Sequence, residues 1–370
     1  MPVTDTRTLL RKLELPYESV RTVYEGDSEV RLYRNELTQE LQVGKRFDIL
    51  GVESSVAVQE GATLRRITHA NITPVYDVAR VTGYAAPMEV VEIIMPYYPR
   101  GSLYDAFQRG ERFTVGDAVR LSIGALHGLA ELHEVHGILH RDVKTPNLLL
   151  GEDGRLVVGD LGVAAPLQPD GTAEALPNAR LYTPPEGFGT RRLDRRSDLY
   201  QLGIVLHELV SGPLPYEDSA YDISAVAARL ASGRRAVLPR HLGHAAWVPR
   251  RLRTVINKST SGNPDARYAS AKAMVDALAA APLVDWQPVA DGPDLKRWEG
   301  ATPQRPDRRF AVEARYLAPK RGRSRTGWMF SGLQLVTQWQ RVVPDSLVAE
   351  VQGNQAAAFF DSMVAIATSC

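Results

Sequence analysis

The chain has 370 residues, of which 44% are apolar and 24% are charged, and its formal charge at pH 7 is +1. Because single hydrophobic cores commonly stop growing beyond about 250 residues, this length predicts two or three compact units. The small net charge excludes a general electrostatic attraction to nucleic acid or membranes, and no apolar run approaches the roughly 20 residues of a membrane span.

Cysteine and lysine are both scarce in this chain, and each scarcity is informative. The single cysteine, Cys370, excludes internal disulfides and metal sites built on several thiolates, so we expect a protein of the reducing cytoplasm with no membrane partner. Only seven of the 44 basic residues are lysine, and this arginine preference is typical of a GC-rich bacterial genome. A lysine in this chain is therefore less expected as an ordinary surface residue.

The first predicted unit covers residues 17–96 and follows an N-terminal extension of residues 1–16. Residues 17–50 alternate with a period of two and contain β-branched residues, which predicts three strands. Helical spacing follows in VESSVAVQEGATLRRI, and NITPVYDVARV and MEVVEIIMPYY then return to strand character. We expect a small α+β unit with five strands and one main helix.

The remaining residues form a mostly helical unit and a smaller one. Segments such as DAVRLSIGALHGLAELHEVHG and SDLYQLGIVLHELVSG have helical spacing, and each is ended by Gly. Between them, GILHRDVKTPNLLLGEDGRLVVGDLG predicts two short strands joined by a turn. We assign residues 97–282 to the helical unit. Residues 283–370, the C-terminal module, predict three strands and a closing helix, hence a small α+β domain.

HRDVKTPN at positions 140–147 and DLG at positions 160–162 contain the most informative residues. Their spacing places two carboxylates, an amide and a lysine at the ends of two adjacent strands. Phosphoryl transfer requires such a set: a carboxylate to orient the acceptor hydroxyl, a cation for the moving phosphate, and oxygen ligands for Mg²⁺. By itself an Asp/Lys/Asn run is usually a solvated loop. The presence of DLG at the matching distance is what favours a phosphoryl-transfer site.

From Tyr17 to Ala280 the chain resembles the protein kinase family, specifically its serine/threonine branch. The resemblance implies a two-lobed α+β fold and an enzyme that uses ATP with Mg²⁺ or Mn²⁺ to phosphorylate a protein substrate. It also implies that Asp142 is the catalytic base, that Lys144 contacts the γ-phosphate, and that Asn147 and Asp160 hold the metal. A lysine two residues after the base is typical of kinases that act on serine or threonine.

The same resemblance implies the nucleotide site and the activation machinery. Lys45 in QVGKRF corresponds to the lysine that pairs with the phosphates, and Glu60 corresponds to the helix glutamate that holds this lysine. Further predicted contacts of the nucleotide are Val30, Gly26, Met95, Pro96 and Tyr98. Predicted regulatory residues are Arg141 and Thr172, the latter as a phosphorylation site, and predicted structural residues are Glu186, Asp198 and Arg267.

The chain departs from the family pattern at two places. The stretch VYEGDSEVRL corresponds to the phosphate-covering loop but contains a single glycine, Gly26, which predicts weak ATP binding. Asn178 and Ala179 stand where the family usually has Gly-Thr before its Ala-Pro-Glu segment, so the threonine that in the family hydrogen-bonds the catalytic aspartate and lysine is missing. A pseudokinase scaffold with weak nucleotide binding is therefore the main alternative. A small-molecule phosphotransferase is less favoured, because that group usually lacks the lysine after the base and the Pro-Glu segment.

The C-terminal module lies outside the resemblance. Residues 296–325 contain ten basic and three acidic residues, so a nucleic-acid contact is one interpretation. A solvated basic hairpin is the favoured one, since no nucleic-acid-binding motif accompanies the charge. Nothing in the sequence specifies the oligomeric state.

Overall fold

The computed structural model describes residues 17–24, 30–49, 65–81, 89–176, 180–318 and 327–369. The chain divides into two compact units, Met1–Pro99 and Arg100–Cys370. Both helices and strands contribute, which confirms the predicted α+β class. The further division of the second unit at residue 283 stays a prediction.

The first unit contains a five-stranded antiparallel sheet. Its strands, in chain order, are β1 (Tyr17–Tyr24), β2 (Val30–Asn35), β3 (Leu41–Ile49), β4 (Asp77–Val81) and β5 (Glu89–Pro96). Their order across the sheet is β1-β2-β3-β5-β4, and each neighbouring pair runs antiparallel. The five predicted strands are confirmed. The helix predicted from VESSVAVQEGATLRRI lies almost entirely outside the described residues.

One face of this sheet carries a buried polar cluster. The Tyr33 hydroxyl donates to Glu92 Oε1 at 2.6 Å, and Arg46 Nε donates to the same oxygen at 3.3 Å. Burial, followed by the neighbouring Glu92, raises the pKa of Tyr33 to about 12. Gly44 lies against this cluster, where a Cβ atom would come within 2.5 Å of both side chains, so glycine is required for close packing.

The second unit is mostly helical between residues 100 and 282. Its described helices there are α1 (Leu103–Gln108), α2 (Val115–Ala130), α3 (Pro185–Gly189), α4 (Arg195–Ser211), α5 (Ile223–Ala231), α6 (Arg250–Ser259) and α7 (Ala271–Ala279). Helix α4 is buried from Ser197 to Val210, which makes it the centre of the unit. A capping box at Thr114 and Asp117 fixes the start of α2, because each residue accepts from the other's backbone amide.

Short antiparallel strand pairs occupy the polar region between α2 and α4. These strands are β6 (Ile138–Leu139), β7 (Leu148–Leu150), β8 (Leu156–Val158), β9 (Ala165–Pro166), β10 (Ala173–Glu174) and β11 (Arg192–Leu193). Strand β6 pairs with β9, β7 with β8, and β10 with β11. The strand pair predicted on either side of the EDG turn is confirmed as β7 and β8.

The C-terminal module is a second five-stranded antiparallel sheet with one helix. Its elements are β12 (Gln287–Asp291), β13 (Leu295–Thr302), β14 (Arg305–Leu317), β15 (Gly327–Leu335), β16 (Trp339–Val348) and α8 (Asn354–Ser369). The strands pair in chain order, and α8 packs on the face that carries Trp298, Phe310 and Phe330. The three predicted strands and the helix are confirmed, whereas β12 and β13 are additional.

The module packs closely on the helices that precede it. The Trp247 and Trp298 rings lie 6.0 Å apart, and the Ala246 amide donates to Gln352 Oε1 at 3.0 Å. Asp361 accepts from the Arg250 amide, at the first residue of α6. The start of α6 is thus capped by a carboxylate from the module, because its own N-cap, Pro249, has no side chain that can accept a hydrogen bond.

Candidate active site

The backbone of the loop His140–Asn147 is hydrogen-bonded to Asp198 of α4. The Asp198 carboxylate accepts hydrogen bonds from the amides of His140 and Arg141 at 2.9 and 2.8 Å and from His133 Nε2 at 2.7 Å. Burial alone would raise the pKa of Asp198, but the hydrogen bond and charge of His133, with those of His140, outweigh it and lower this pKa. The carboxylate therefore stays ionised and fixes the backbone of the loop.

Asp142 lies at the centre of this loop, and its side chain is 9% exposed. Lys144 Nζ donates to Asp142 Oδ2 at 2.7 Å. Asn147 Nδ2 donates to the Asp142 carbonyl at 2.8 Å and to its Oδ2 at 3.2 Å. Two of the predicted site residues, Lys144 and Asn147, thus converge on the carboxylate of a third, Asp142, and orient it.

Asn147 and Asp160 lie at the same end of the β7–β8 pair. Leu148, the residue after Asn147, pairs with Val158, and the Gly159 amide donates to the Asn147 carbonyl at 2.9 Å. Asp160 has a left-handed backbone with φ of 55°, uncommon for a residue other than glycine and frequent at functional sites. No group of three His, Cys, Asp or Glu side chains among the described residues forms a metal site. Mg²⁺ is compatible with this, because it usually takes only one or two carboxylates and completes its shell with water and phosphate oxygens.

In the first unit, three predicted nucleotide contacts share one face of the sheet. Val30 of β2 is directly opposite Lys45 of β3, and Met95 of β5 is opposite Val43. Since side chains alternate along a strand, Val30, Lys45 and Met95 project on the same side. Pro96 ends β5. Tyr98, two residues later, is half-buried. The predicted contacts Gly26 and Glu60 lie outside the part of the chain that the structure describes.

Arg141 and Thr172 belong to neighbouring segments. Arg141 has a φ of 68°, and its guanidinium donates to the carbonyls of Val163 at 2.6 Å and Glu174 at 2.8 Å. The Thr172 hydroxyl donates to Asp170 Oδ1 at 2.7 Å, two residues before β10 ends. The structure thus brings Arg141 to the backbone of the segment that contains Thr172.

Glu186 and Arg267 form a buried ion pair. Arg267 donates through both terminal nitrogens to Glu186, at 2.6 and 2.8 Å, and its side chain is fully buried. Ser197 Oγ donates to the same carboxylate at 2.9 Å, and Tyr200 covers the guanidinium, whose Cζ lies 4.6 Å from the ring centre. This bidentate pair fixes α3 against the end of the helical region.

A small cavity of about 20 Å³ adjoins Asp142. Its lining comprises Arg141, Asp142, Ala175, Leu176, Arg180, Tyr182, Thr183, Pro184, Gly187, Leu193 and Gln201. Arg180 lies with a terminal nitrogen 3.9 Å from Asp142 Oδ2. Gln201 accepts from the Val143 amide at 2.9 Å and donates to the Arg141 carbonyl at 3.0 Å.

The floor of this cavity contains a buried hydrogen-bond network. The Tyr182 hydroxyl donates to Glu208 and lies 2.8 Å from the Tyr216 hydroxyl and 3.3 Å from Thr145 Oγ1. Burial, with the charge of Glu208, raises the pKa of Tyr182 well above its usual range. Sequence reasoning missed Tyr182, Glu208, Gln201 and Arg180. The one sequence signal for this network was Glu208, a carboxylate inside the apolar pattern of α4, because a buried carboxylate needs a hydrogen-bond partner.

Residues 17–277 match the family model of the protein kinase domain. The match covers well over half of the 370 residues, so the chain belongs to the protein kinase family. This confirms the resemblance drawn from HRDVKTPN and DLG and the two-lobed fold class that it implies.

Curated relatives agree with this assignment. The chain is 36% identical over 171 residues to the receptor-like protein kinase HAIKU2 of Arabidopsis thaliana, which is 43% of this chain and 16% of the relative. It is 30% identical over 221 residues to the serine/threonine-protein kinase PknB of Mycolicibacterium smegmatis. These residues are 58% of this chain and 34% of the relative. A probable serine/threonine-protein kinase of Clostridium perfringens is 26% identical over 253 residues, which are 67% of this chain and 33% of the relative. The chain spans between about one sixth and one third of the length of these relatives.

The basic stretch of residues 296–325 is partly compensated by its own module. Arg297 contacts Glu299 at 2.9 Å and Glu313 at 3.2 Å, and Arg315 contacts Glu313 at 2.6 Å. Lys296 pairs with Asp291. These pairs reduce the charge that a phosphate backbone would meet on β13 and β14.

Within the described ranges, no helix is long and apolar enough to cross a membrane.

Proposed function

We propose that the chain is an ATP- and Mg²⁺-dependent protein kinase that phosphorylates serine and threonine hydroxyls of proteins, its own included. The observation that carries the proposal is the convergence of Lys144 and Asn147 on Asp142, at 2.7 and 3.2 Å. PknB is named a serine/threonine-protein kinase and the Clostridium relative a probable one, which supports the choice of acceptor. Lys144, two residues after the base, supports it independently.

The proposed chemistry follows from how these side chains are held. The acceptor hydroxyl donates to a free oxygen lone pair of Asp142, which orients the hydroxyl oxygen for attack on the γ-phosphorus and receives its proton. Lys144 is already beside this carboxylate and stabilises the negative charge of the transferring group. Asn147 and Asp160 would hold Mg²⁺, which offsets the charge of the triphosphate when bound.

Activation by phosphorylation of Thr172 is part of the proposal. Thr172 is partly exposed, and its hydroxyl donates to Asp170, whose carboxylate lies 3.5 Å from Arg192. A phosphate there would repel Asp170 and attract the neighbouring guanidinium groups, which orders this segment. Mass spectrometry of active protein should find Thr172 phosphorylated, and Thr172→Ala should lower the rate of peptide phosphorylation. Active protein with an unmodified Thr172 would contradict this part.

A pseudokinase scaffold is the second candidate, favoured by the single glycine of VYEGDSEVRL. Incubation with labelled ATP and Mg²⁺ separates the two, with Asp142→Ala and Lys45→Ala as comparison variants. We expect phosphate on the wild-type chain and on serine- or threonine-containing peptides, and its loss in both variants. Bound ATP without any phosphate transfer by the wild type would support the scaffold instead.

A further inference from the structure

Gln201 of α4 is hydrogen-bonded to the backbone on both sides of Asp142. Its Oε1 accepts from the Val143 amide at 2.9 Å, and its Nε2 donates to the Arg141 carbonyl at 3.0 Å. Gln201 is 3% exposed and Val143 is fully buried, so solvent does not compete for the Val143 amide. One amide side chain thus spans the residue that carries the candidate catalytic carboxylate.

These two bonds fix the backbone torsions of Asp142. Because peptide groups are planar, the Arg141 carbonyl lies in the plane before Asp142 and the Val143 amide lies in the plane after it. The φ and ψ of Asp142 are the only soft rotations between the two planes. Asn147 also holds the second plane, through the Asp142 carbonyl at 2.8 Å. Gln201 connects both planes through a single rigid group.

The loop needs such a restraint at this point. Arg141 has a φ of 68°, a left-handed conformation that is unfavourable for a residue with a Cβ atom and persists only where the surrounding structure enforces it. Asp198 accepts from the Arg141 amide at 2.8 Å, and Gln201, about one turn further along α4, holds its carbonyl. Both polar backbone groups of the strained residue are therefore bonded to one face of the buried central helix.

We propose that Gln201 is a positioning residue that sets the backbone of Asp142 and so directs its carboxylate toward the acceptor hydroxyl. This inference rests on the proposed kinase function and adds to it a residue that acts through Asp142. The carboxylate must lie within about 2.6 to 3.2 Å of the hydroxyl oxygen, and a misplacement of about 1 Å can cost about 100-fold in rate. Glutamine suits the role because one planar group supplies both a donor and an acceptor.

The test uses two substitutions of Gln201. Gln201→Met retains the length of the side chain without its amide, and Gln201→Glu keeps the acceptor but loses the donor when ionised. Values of kcat and KM are measured separately for a serine-containing peptide and for ATP, at a temperature below the unfolding transition of every variant. Hydrogen exchange of the Val143 amide gives a readout independent of transfer.

His207→Leu is the matched control. His207 lies on the same helix and is 2% exposed, and its Nε2 lies 2.8 Å from the His241 carbonyl. The substitution therefore removes a buried bond between α4 and the backbone, as Gln201→Met does, but from a segment other than the loop of Asp142. It should lower the unfolding temperature and leave kcat within about threefold of wild type.

We expect Gln201→Met to lower kcat by about 10- to 100-fold, to change either KM by less than about threefold, and to speed exchange of the Val143 amide. Gln201→Glu should be impaired at about pH 8, and the ratio of its kcat to that of wild type should rise toward about pH 6. The reason is that burial raises the pKa of a carboxyl at this position, and its protonated form again donates to the Arg141 carbonyl.

Three results would overturn the proposal while wild type is active. These are a wild-type kcat in Gln201→Met, a loss no larger than that of His207→Leu, and a loss confined to KM, which would assign Gln201 to substrate binding. A ratio for Gln201→Glu that does not change with pH would also overturn it, because the bond to the Arg141 carbonyl would then have no part in the rate. A wild type inert on every peptide would instead overturn the kinase function itself.

Discussion

Arg267 lies fully buried with both terminal nitrogens on the Glu186 carboxylate, at 2.6 and 2.8 Å, although 81 residues separate the two in the chain. Glu186 is the fifth residue of YTPPEG, directly before its glycine, and its side chain is 13% exposed. Removing one partner would leave the other charged and desolvated. The pair therefore fixes the segment that leads from Arg180 to α3.

Arg267→Ala should lower the free energy of unfolding by about 3 to 5 kcal/mol, because it leaves the Glu186 carboxylate buried without its counter-ion. The measurement is urea denaturation followed by circular dichroism. Lys272→Ala is the control, since Lys272 and Asp276 form an exposed pair on α7 and such pairs contribute about 0 to 1 kcal/mol. A loss below about 1 kcal/mol in Arg267→Ala would show that the pair has no structural role.

Docking of the C-terminal module depends on Asp361. Its carboxylate accepts from the Arg250 amide at 2.8 Å and from Arg253 at 2.6 Å, so it both caps α6 and pairs with a partly buried arginine. Asp361→Ala should cost about 1 to 3 kcal/mol of stability, from the lost cap and the lost ion pair. Asp307→Ala, on an exposed part of β14, should cost less than about 0.5 kcal/mol.

Thermal unfolding of Asp361→Ala checks this docking. Because the Trp247 and Trp298 rings meet across the contact, tryptophan fluorescence and far-ultraviolet circular dichroism should report one transition in the wild type. In the variant both signals should shift together to lower temperature. A fluorescence transition well separated from the helical one in the wild type would mean that the module unfolds independently of the helices.

His207 makes stability depend on pH. Burial, followed by the nearby His244, lowers the pKa of His207 to about 4, and the side chain is 2% exposed. The unfolded chain binds a proton at this residue below about pH 6.5, whereas the folded protein does not until about pH 4. Stability therefore rises with pH across this window, and His207 contributes a loss of up to about 3 kcal/mol as the pH falls through it.

His207→Gln should flatten the pH dependence between 6.5 and 4, because glutamine retains a donor for the His241 carbonyl, which lies 2.8 Å from His207 Nε2, but does not titrate. The free energy of unfolding is measured at several pH values for both proteins. Identical slopes in wild type and His207→Gln would show that His207 does not resist protonation.

The sequence allowed the centre of the site to be predicted because its parts are local. HRDVKTPN contains Asp142 and its two donors within eight residues, and the turn between β7 and β8 returns the chain to Asp160. Arg180 and Gln201 were missed, since each reaches Asp142 or its loop from more than 35 residues away and neither belongs to a periodic pattern. Their positions depend on how α4 and the segment before α3 pack, which no short window of residues specifies.

In the C-terminal module, the sequence predicted three of the five strands and missed β12 and β13. Strands β14, β15 and β16 contain enough apolar residues to be predicted. In β13, Trp298 is followed on the inner face by Gly300 and Thr302, and in β12 the exposed residues include Pro288. An inner face with a single large residue gives a weak alternation signal, and proline is typical of an edge strand. Both strands are stabilised by the neighbours that pair with them.

The rate of γ-phosphate transfer from ATP by wild type and Asp142→Asn tests the central claim most directly. We expect wild-type protein with Mg²⁺ to phosphorylate serine- or threonine-containing peptides and Asp142→Asn to be at least about 100-fold slower, because the asparagine amide cannot accept the hydroxyl proton. ATP affinity should change by less than about threefold, and Asp307→Asn should behave as wild type. Equal rates in the wild type and Asp142→Asn, or ATP binding without transfer by the wild type, would contradict the assignment of this chain as an active kinase.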